Sequence, residues 1–447
     1  LKAYPNTPRR DEAYEFLLNV YLRTRNYEAA LEALDEIRTK DLRLQEAYQR
    51  LAYDRGVELY DGRKYNEAVA AFERALKFPV DQQVNARCHF WMAESYYAAG
   101  DLPAALRKYD DLRNSPGAYA TDLYEQAGYG MGYTFFKMKD YNEAATAFRR
   151  FVASGKGEAK YRADAMLRTG DCYFVTKNNE QAVKWYDDAM RSGAGDRDYA
   201  QYQKGLCLGL LGRNNEKIGT LKALLNERPN SPYAADAKYQ LADTYINTDN
   251  DPEAAKYYTM VVEQHPNSPF VRDAMLQGAL ILKRSGRTDE ALERFKAIVA
   301  KYTTVEGSLE ALAAIKAIHM ERGTMAEYEA YMRGLSFIDP STLDLDTEYY
   351  RSAEALYMGG DCAKAINALT DYLNKYPRGA YSTTAYFYRG DCLYRTGDFA
   401  RSLPDLEEVI RRNEGAYLEN AYSGASELAY KEGRYQAALD YYEGLGR

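Results

Sequence analysis

The stretch Tyr65-Asn66-Glu67-Ala68 decides the fold, because it recurs as Tyr141-Asn142-Glu143-Ala144 and, in weaker form, as Tyr435-Gln436-Ala437-Ala438. The last residue of each copy is taken as an anchor, and equivalent anchors recur at spacings of 36 to 39 residues. Twelve positions qualify, and nine of them are alanine. They are Ala30, Ala68, Ala105, Ala144, Ala182, Ile218, Ala254, Ala291, Glu327, Ala365, Ser402 and Ala438. Self-similarity at a fixed period of this length indicates a repeat architecture.

The residues around each anchor follow a common pattern, counted here from the anchor. At +4 a large apolar side chain stands in eleven repeats, and Lys222 is the exception. At −9 a bulky apolar residue such as Tyr21 or Leu59 is usual, and at −12 a small one such as Gly132 is common. A glycine four to six residues before most anchors can end a helix. The pattern predicts stacked hairpins of two amphipathic helices, each of about 12–15 residues.

This order of small, aromatic and alanine positions resembles the tetratricopeptide repeat (TPR) family over essentially the whole chain. The resemblance implies an all-α, right-handed α-solenoid of about twelve tandem hairpins. The linkers Arg228-Pro229-Asn230-Ser231 and His265-Pro266-Asn267-Ser268 are similar to those of bacterial cell-envelope members. These members are the outer-membrane-assembly lipoproteins and the Tol–Pal-associated proteins. This branch implies a periplasmic or outer-membrane-associated protein, with the cytoplasm as the alternative.

Two repeats fit the pattern poorly. The Ile218 copy carries Gly209 at −9 and Lys222 at +4, and the Glu327 copy is followed by a connection without helical periodicity at residues 334 to 346. Weakly packed units in a linear array are candidate bends. We therefore predict a first repeat segment at 1–300, a degenerate repeat with a bend at 301–346, and a second repeat segment at 347–447, all within one continuous solenoid.

The composition excludes several functions. A net charge of −7 argues against a nucleic-acid binder, which needs a basic stripe. No apolar run approaches the roughly 20 residues of a membrane-spanning helix, so we expect no membrane insertion by this chain. The five cysteines are scattered and are interpreted as small apolar helix residues rather than as a disulfide framework. The chain starts without Met and ends without a polar capping helix, so we expect a mature form or a fragment of a longer protein.

No catalytic or metal-binding motif is found. The three histidines have no metal-ligand spacing, and His265, which precedes Pro266, is expected to be solvated. The glycines of Gly128-Tyr129-Gly130-Met131-Gly132 lie inside a predicted first helix and not after a strand, so we interpret them as sites of close helix packing rather than as a phosphate loop. The sequence predicts neither an enzyme nor a cofactor.

The first helices of TPR hairpins line a concave face, and the resemblance places the positions −15, −11 and −8 on it. These positions are rich in aromatic and acidic residues. They are Tyr53, Phe90, Tyr129, Tyr239, Tyr350 and Phe387 at −15, Glu94, Tyr133, Asp171, Asp243, Glu354, Asp391 and Glu427 at −11, and Tyr60, Tyr97, Phe136, Phe174, Tyr357, Tyr394 and Tyr430 at −8. For each side chain, packing between hairpins is the competing interpretation. The Lys/Asn/Arg clamp of chaperone-binding members is absent, so their ligand is not expected here.

We interpret the chain as a non-enzymatic scaffold that binds protein or peptide segments in an acidic, Tyr-rich groove. The acids favour segments that carry Lys or Arg. Two alternatives remain: an architectural spacer or self-assembly arm, and an interaction module of a larger multidomain envelope protein. The oligomeric state is left open.

Overall fold

The computed structural model describes residues 26–446 and, before them, residues 8, 9, 12, 13, 16, 19, 20, 23 and 24, so Tyr21 lies outside the described residues. This part of the chain is all-α, with 23 α-helices, two 3-10 turns and no strand. The helices are α1 (Tyr27–Asp35), α2 (Leu42–Asp61), α3 (Tyr65–Ala75), α4 (Gln82–Ala99), α5 (Leu102–Asn114), α6 (Leu123–Lys137), α7 (Tyr141–Ala153), α8 (Ala159–Val175), α9 (Asn179–Ser192), α10 (Arg197–Leu210), α11 (Asn214–Glu227), α12 (Ala234–Ile246), α13 (Asp251–Gln264), α14 (Val271–Arg284), α15 (Thr288–Lys301), α16 (Val305–Arg322), α17 (Met325–Arg333), α18 (Asp346–Met358), α19 (Cys362–Lys375), α20 (Ser382–Arg395), α21 (Phe399–Arg412), α22 (Leu418–Lys431) and α23 (Tyr435–Gly444). Even-numbered helices are the first helices of the hairpins, and odd-numbered helices are the second.

The predicted α-solenoid of helix hairpins is confirmed. The chain divides into two compact units, Leu1–Ala237 and Lys238–Arg447. Within each unit a helix packs on its neighbours in sequence, and several first helices also pack on each other, as α4 does on α6 and α18 on α20. Within each unit the first helices therefore lie on the side where successive hairpins approach each other.

The segment between α17 and α18 holds the 3-10 turn Pro340–Thr342. The predicted division at 301–346 stays a prediction. No helix in the described part of the chain is both long and apolar enough to cross a membrane.

Local hydrogen bonds set the turn within each hairpin. Gly100 ends α4 in the left-handed region, with φ 91°, and the Asp101 carboxylate then accepts a hydrogen bond from the backbone N–H of Ala104 at 3.1 Å. This pair of devices ends one helix and caps the next. In the α2–α3 turn Gly62 has φ −74°, and Arg63 takes the left-handed conformation instead, so the predicted role of that glycine is wrong.

The hairpin is held by small residues against large rings. Ala144 is fully buried, and Phe148 at +4 packs over Gly132 at −12. A Cβ atom on Gly132 would lie 2.5 Å from Phe148 Cε1, so the close approach of α6 and α7 requires glycine there.

The poor fit of the Ile218 repeat arises because its anchor was assigned one residue too late. The N-cap of α11 is Arg213, which places the anchor four residues later at Lys217 rather than at Ile218, as Lys64 stands four before Ala68. Lys217 is buried, and its +4 residue is the fully buried Leu221. The predicted degeneracy at Lys222 is therefore wrong.

A similar error affects the second poor repeat. The N-cap of α17 is Thr324, so the anchor is the buried Tyr328, whereas Glu327 is exposed. Its +4 residue is Met332, which is also buried. The anchors of these two hairpins were misassigned because a lysine and a tyrosine stand where the other hairpins usually have alanine.

Two cysteines form a disulfide, so the interpretation of all five as unpaired is wrong. Cys362 begins α19, Cys392 lies within α20, and their Cα atoms are 5.1 Å apart. The sequence pattern does not predict this disulfide. It joins position −3 of one repeat to position −10 of the next, and these two positions meet only when the hairpins stack. The other three cysteines, Cys88, Cys172 and Cys207, are buried and free.

Replacing Gly132 by alanine is expected to destabilise the protein by about 1–3 kcal/mol, because the new methyl group overlaps the Phe148 ring. Gly219→Ala in α11 is the matched control. Nothing lies within 4 Å of a Cβ atom there, and loss of a helical glycine is expected to stabilise by about 0.5–1 kcal/mol. Urea unfolding followed by circular dichroism measures both. Equal effects of the two substitutions would contradict the packing argument.

Thiol titration under denaturing conditions checks the disulfide. We expect three reactive thiols before reduction and five after it, since Cys362 and Cys392 are paired. A crosslink between residues 30 apart stabilises the folded protein by about 2–4 kcal/mol, because it lowers the entropy of the unfolded chain. Reduction should therefore lower the unfolding temperature of the wild type and leave that of Cys362→Ser/Cys392→Ser unchanged. Five thiols without reductant would refute the pairing.

Candidate functional site

The acidic residues at −11 on the first helices accept hydrogen bonds from tyrosine. Tyr109 donates to Glu94 at 2.5 Å, and Tyr258 donates to Asp243 at 2.6 Å. In each case the donor stands at +4 of the same hairpin. The acids are thus acceptors for rings that cross from the second helix.

A compositional rule inside the chain follows from this contact. In complete hairpins with an aromatic residue at +4, tyrosine occurs with an acid at −11, and phenylalanine occurs without one. The phenylalanine pairs are Phe72 with Val57, Phe148 with Tyr133, and Phe295 with Leu280. Three complete hairpins have leucine at +4. The hairpin of Leu221 has Leu206 at −11, and in the other two Tyr350 donates to Glu354 at 2.7 Å and Tyr357 to Asp391 at 3.0 Å. This pairing of positions is a sequence signal that anchor alignment alone missed.

Asp171 carries the most extensive of these networks. It accepts from Tyr186 at 2.8 Å and Tyr199 at 2.7 Å, and Arg168 donates to it at 2.6 Å. Burial raises the pKa of Asp171 and of Tyr186, so the tyrosine remains a donor. Asp171 is 7% exposed, so the expectation that it faces outward is wrong.

Tyrosines also connect neighbouring first helices. Tyr129 and Tyr133 on α6 both donate to Asp164 on α8, at 2.8 and 2.5 Å. Tyr394 on α20 donates to Glu427 on α22 at 2.6 Å, and Lys431 pairs with the same carboxylate at 2.7 Å. Asp164, at −18 of its repeat, was not among the predicted residues, although it is held by two of them.

The predicted groove residues differ widely in exposure. Fifteen of the twenty are half-buried, Glu427 and Tyr430 are exposed, and Asp171, Tyr350 and Phe387 are buried. Tyr350 stacks on Tyr381 at 4.3 Å and Phe387 stacks on Tyr417 at 4.5 Å, so rings next to the following helices cover them. The outward placement of Tyr350 and Phe387 is therefore wrong, and a binding role for the set stays a prediction.

Four successive first helices of the first unit present half-buried aromatic residues at −8. We call this set the aromatic row, and it consists of Tyr60, Tyr97, Phe136 and Phe174. Tyr60 packs on Tyr65 at 5.6 Å and Phe136 on Tyr141 at 5.4 Å, each across the turn of its own hairpin. Lys137 lies 4.7 Å from the ring of Tyr97 in the preceding hairpin. These contacts hold the rings in place while leaving part of each accessible.

His265 is half-buried rather than solvated, so that expectation is wrong. Lys238 Nζ lies 2.7 Å from His265 Nε2 and also donates to Gln264 at 2.7 Å. Burial and the adjacent lysine lower the pKa of His265, which favours the neutral ring as acceptor. Among the described residues, no three His, Cys, Asp or Glu side chains are grouped so that they could hold a metal ion.

The comparisons with known proteins give matches over most of the chain. A profile described as Tetratricopeptide repeat matches residues 53–119, 129–197, 350–417 and 394–445, and a second profile with that description matches 199–231, 236–268 and 273–304. A comparison with curated protein sequences gives no match.

Solved structures similar to this chain include YrrB, described as a TPR protein with an unusual peptide-binding site. It is 21% identical, with 41% of this chain and 87% of that chain covered and a TM-score of 0.34. A tetratricopeptide repeat protein from Parabacteroides merdae is 15% identical, with coverages of 68% and 98% and a TM-score of 0.35. MamA from Desulfovibrio magneticus is 18% identical, with coverages of 41% and 97% and a TM-score of 0.34.

The hydrogen bond between Tyr109 and Glu94 can be isolated by a double-mutant cycle. Tyr109→Phe is expected to cost about 1–3 kcal/mol, because the half-buried carboxylate loses its donor. The double variant Tyr109→Phe/Glu94→Val copies the natural pair Phe72 and Val57 and should recover most of that loss. Urea unfolding of the four proteins gives the coupling energy, and additive effects would show that the two positions are independent.

Proposed function

Because this chain belongs to the tetratricopeptide repeat family, whose members generally mediate protein–protein interactions, we propose that it is a scaffold that binds polypeptide segments along the first-helix face of its hairpins. Family scaffolds of this type are typically non-enzymatic, and no catalytic family matches.

The aromatic row is the observation that carries this proposal. Aromatic side chains provide much contact area for little loss of conformational entropy, and they are enriched where proteins bind each other. The row repeats once per hairpin, so a segment that crosses successive hairpins meets one ring in each. Contacts such as that between Phe136 and Tyr141 hold the rings before any partner arrives, which lowers the entropic cost of binding.

Basic segments remain part of the proposal in a reduced role. Carboxylates such as Glu94 and Asp171 are engaged by tyrosine, and Asp391 and Glu427 also face Arg395 and Lys431. They offer less to a ligand than free acids would. We assign the affinity mainly to aromatic contacts. The net charge of −7 would speed the encounter with segments that carry Lys or Arg.

An oxidising compartment fits this protein best, and we propose the periplasm or the periplasmic side of the outer membrane. The disulfide between Cys362 and Cys392 supports this location, since structural disulfides persist in oxidising compartments and are rare in the cytosol. The linkers at residues 228–231 and 265–268 are the second support.

The binding test compares two pairs of substitutions at the ends of the same helices. Phe136→Gln/Phe174→Gln removes two rings of the aromatic row. Met138→Gln/Val175→Gln removes two apolar side chains next to them that are 43% and 48% exposed and lie outside the row. Both proteins and the wild type are immobilised and exposed to lysate of the source cell, after circular dichroism has shown equal helix content.

We expect the wild type and the Met138/Val175 control to capture the same proteins, and the Phe136/Phe174 variant to capture at least tenfold less. That outcome assigns the row as the binding surface. Equal capture by both variants would refute the site, and capture by none of the three proteins would favour the spacer alternative.

A further inference from the structure

Three glycines inside helices of the described chain lack a packing reason. Gly128 in α6, Gly219 in α11 and Gly278 in α14 have no atom within 4 Å of the position that a Cβ atom would take. A glycine in a helix interior costs about 0.5–1 kcal/mol relative to alanine. By contrast, a Cβ atom on Gly130 would overlap Tyr109 and one on Gly132 would overlap Phe148, so the expected close packing holds for these two and is wrong for Gly128.

Each of the three open glycines lines a surface cavity formed by a second helix and the hairpin that follows it. The cavities measure about 290 Å³ at Gly128, about 520 Å³ at Gly219 and about 330 Å³ at Gly278. The Gly128 cavity is the most enclosed and lies between α5, α6 and α7. It lies on the second-helix side of the array: Phe135 lines it, whereas the adjacent Phe136 belongs to the aromatic row.

Gly128 stands at −16, a position that carries a side chain in every other complete hairpin. The equivalent residues, with the corrected anchors, are Ala52, His89, Met166, Gln201, Lys238, Met275, Leu312, Tyr349, Tyr386 and Tyr422. Nine of these ten are larger than alanine, so the Gly128 hairpin lacks a side chain that its neighbours carry, although Gln201 and Met275 line the cavities at Gly219 and Gly278 without closing them. A surface opening of this kind can accept a side chain from another molecule.

The lining of the Gly128 cavity favours a neutral, apolar side chain. Met131, Phe135 and Phe151 provide apolar walls, which gain free energy when a ligand side chain displaces water from them. Two arginines and two glutamates also line it, so their formal charges balance and select neither an anion nor a cation. They are Arg113, Arg150, Glu125 and Glu143. Together they can donate to and accept from the backbone of a bound peptide.

The edge of the cavity already presents aromatic surface. Tyr124 lines the cavity and stacks on Tyr119 at 4.1 Å, and Tyr119 is 72% exposed. The Arg113 guanidinium is held beside the cavity by Tyr124 Oη at 3.4 Å and Met131 Sδ at 3.9 Å. This arrangement gives a partially desolvated apolar centre next to polar and aromatic groups, which is the anatomy of an interface hot spot.

We propose that the Gly128 cavity is a second binding site that receives one large apolar side chain, leucine or phenylalanine, of a partner polypeptide. The site is on a different face of α6 from the aromatic row, because Phe135, which lines the cavity, and Phe136, which belongs to the row, lie about 100° apart around the helix. A larger residue at position 128 would project into the cavity, since nothing lies within 4 Å of a Cβ atom there.

A pair of substitutions at residue 128 separates helix stability from cavity filling. Gly128→Ala removes the helical glycine and leaves most of the cavity open. Gly128→Met introduces the residue found at the same position in the hairpins of Met166 and Met275 and projects a long side chain into the smaller cavity at residue 128. Both should raise the unfolding temperature or leave it unchanged. Gly128→Gln, copied from Gln201, replaces the methionine variant if that protein is not helical.

Blocked tripeptides, acetyl-Gly-Leu-Gly-amide and acetyl-Gly-Phe-Gly-amide, serve as the probes, with acetyl-Gly-Ala-Gly-amide as control. Binding is followed through the methyl resonance of Met131 in protein labelled at its methionine methyl groups, assigned with a Met131→Leu variant. We expect saturable shifts with Leu and Phe in the wild type and in Gly128→Ala, and at least tenfold weaker binding in Gly128→Met and with the alanine peptide.

The proposal fails if the Met131 resonance does not move with either probe up to its solubility, or if it moves equally in the filled variant. The Phe136→Gln/Phe174→Gln protein should bind these probes as the wild type does. Loss of probe binding there would show that the two sites are one, and would also overturn the proposal.

Discussion

The close approach of the two helices in each hairpin is the constraint on which the rest of the structure depends. A small residue at −12 and alanine at the anchor bring the backbones together, and one large side chain at +4 fills the space between them, as Phe148 does over Gly132. Since most hairpins repeat this contact, the period of the sequence becomes the period of the solenoid. Side chains on other faces of the helices are then free to differ from one hairpin to the next.

Tyrosine at +4 adds a polar requirement to this packing. A phenylalanine ring needs only space, whereas the hydroxyl of Tyr109 or Tyr258 needs an acceptor, which the acid at −11 supplies. A buried hydroxyl or carboxylate without a hydrogen-bond partner would lower the stability of the fold. A paired one favours the alignment of the two helices in which its partner is within reach. Part of the acidic character of the first-helix face is therefore structural. The aromatic row is one part of this face that is both held in place and partly accessible, and Tyr357 and Tyr394 share these properties in the second unit.

Glycine has opposite meanings at neighbouring positions of one helix. Gly130 and Gly132 accommodate rings from neighbouring helices, while Gly128, two residues earlier, faces an open cavity. Their spacing alone made the three look alike, because sequence records the absence of a side chain and not what occupies its place. The same limit applies to the anchors, where Lys217 and Tyr328 occupy the alanine position although only the helix N-caps reveal it.

The sequence by itself determined the all-α class, the hairpin unit, its period and the side of each helix that is buried, because these follow from local periodicity repeated twelve times. It also contained the rule that couples tyrosine at +4 to an acid at −11. Tertiary structure alone decided the pairing of Cys362 with Cys392, the stacking that buries Tyr350 and Phe387, and the open space at Gly128. Each of these depends on contacts between different hairpins, whose distances are set by packing in three dimensions and are not encoded in the spacing within any one repeat.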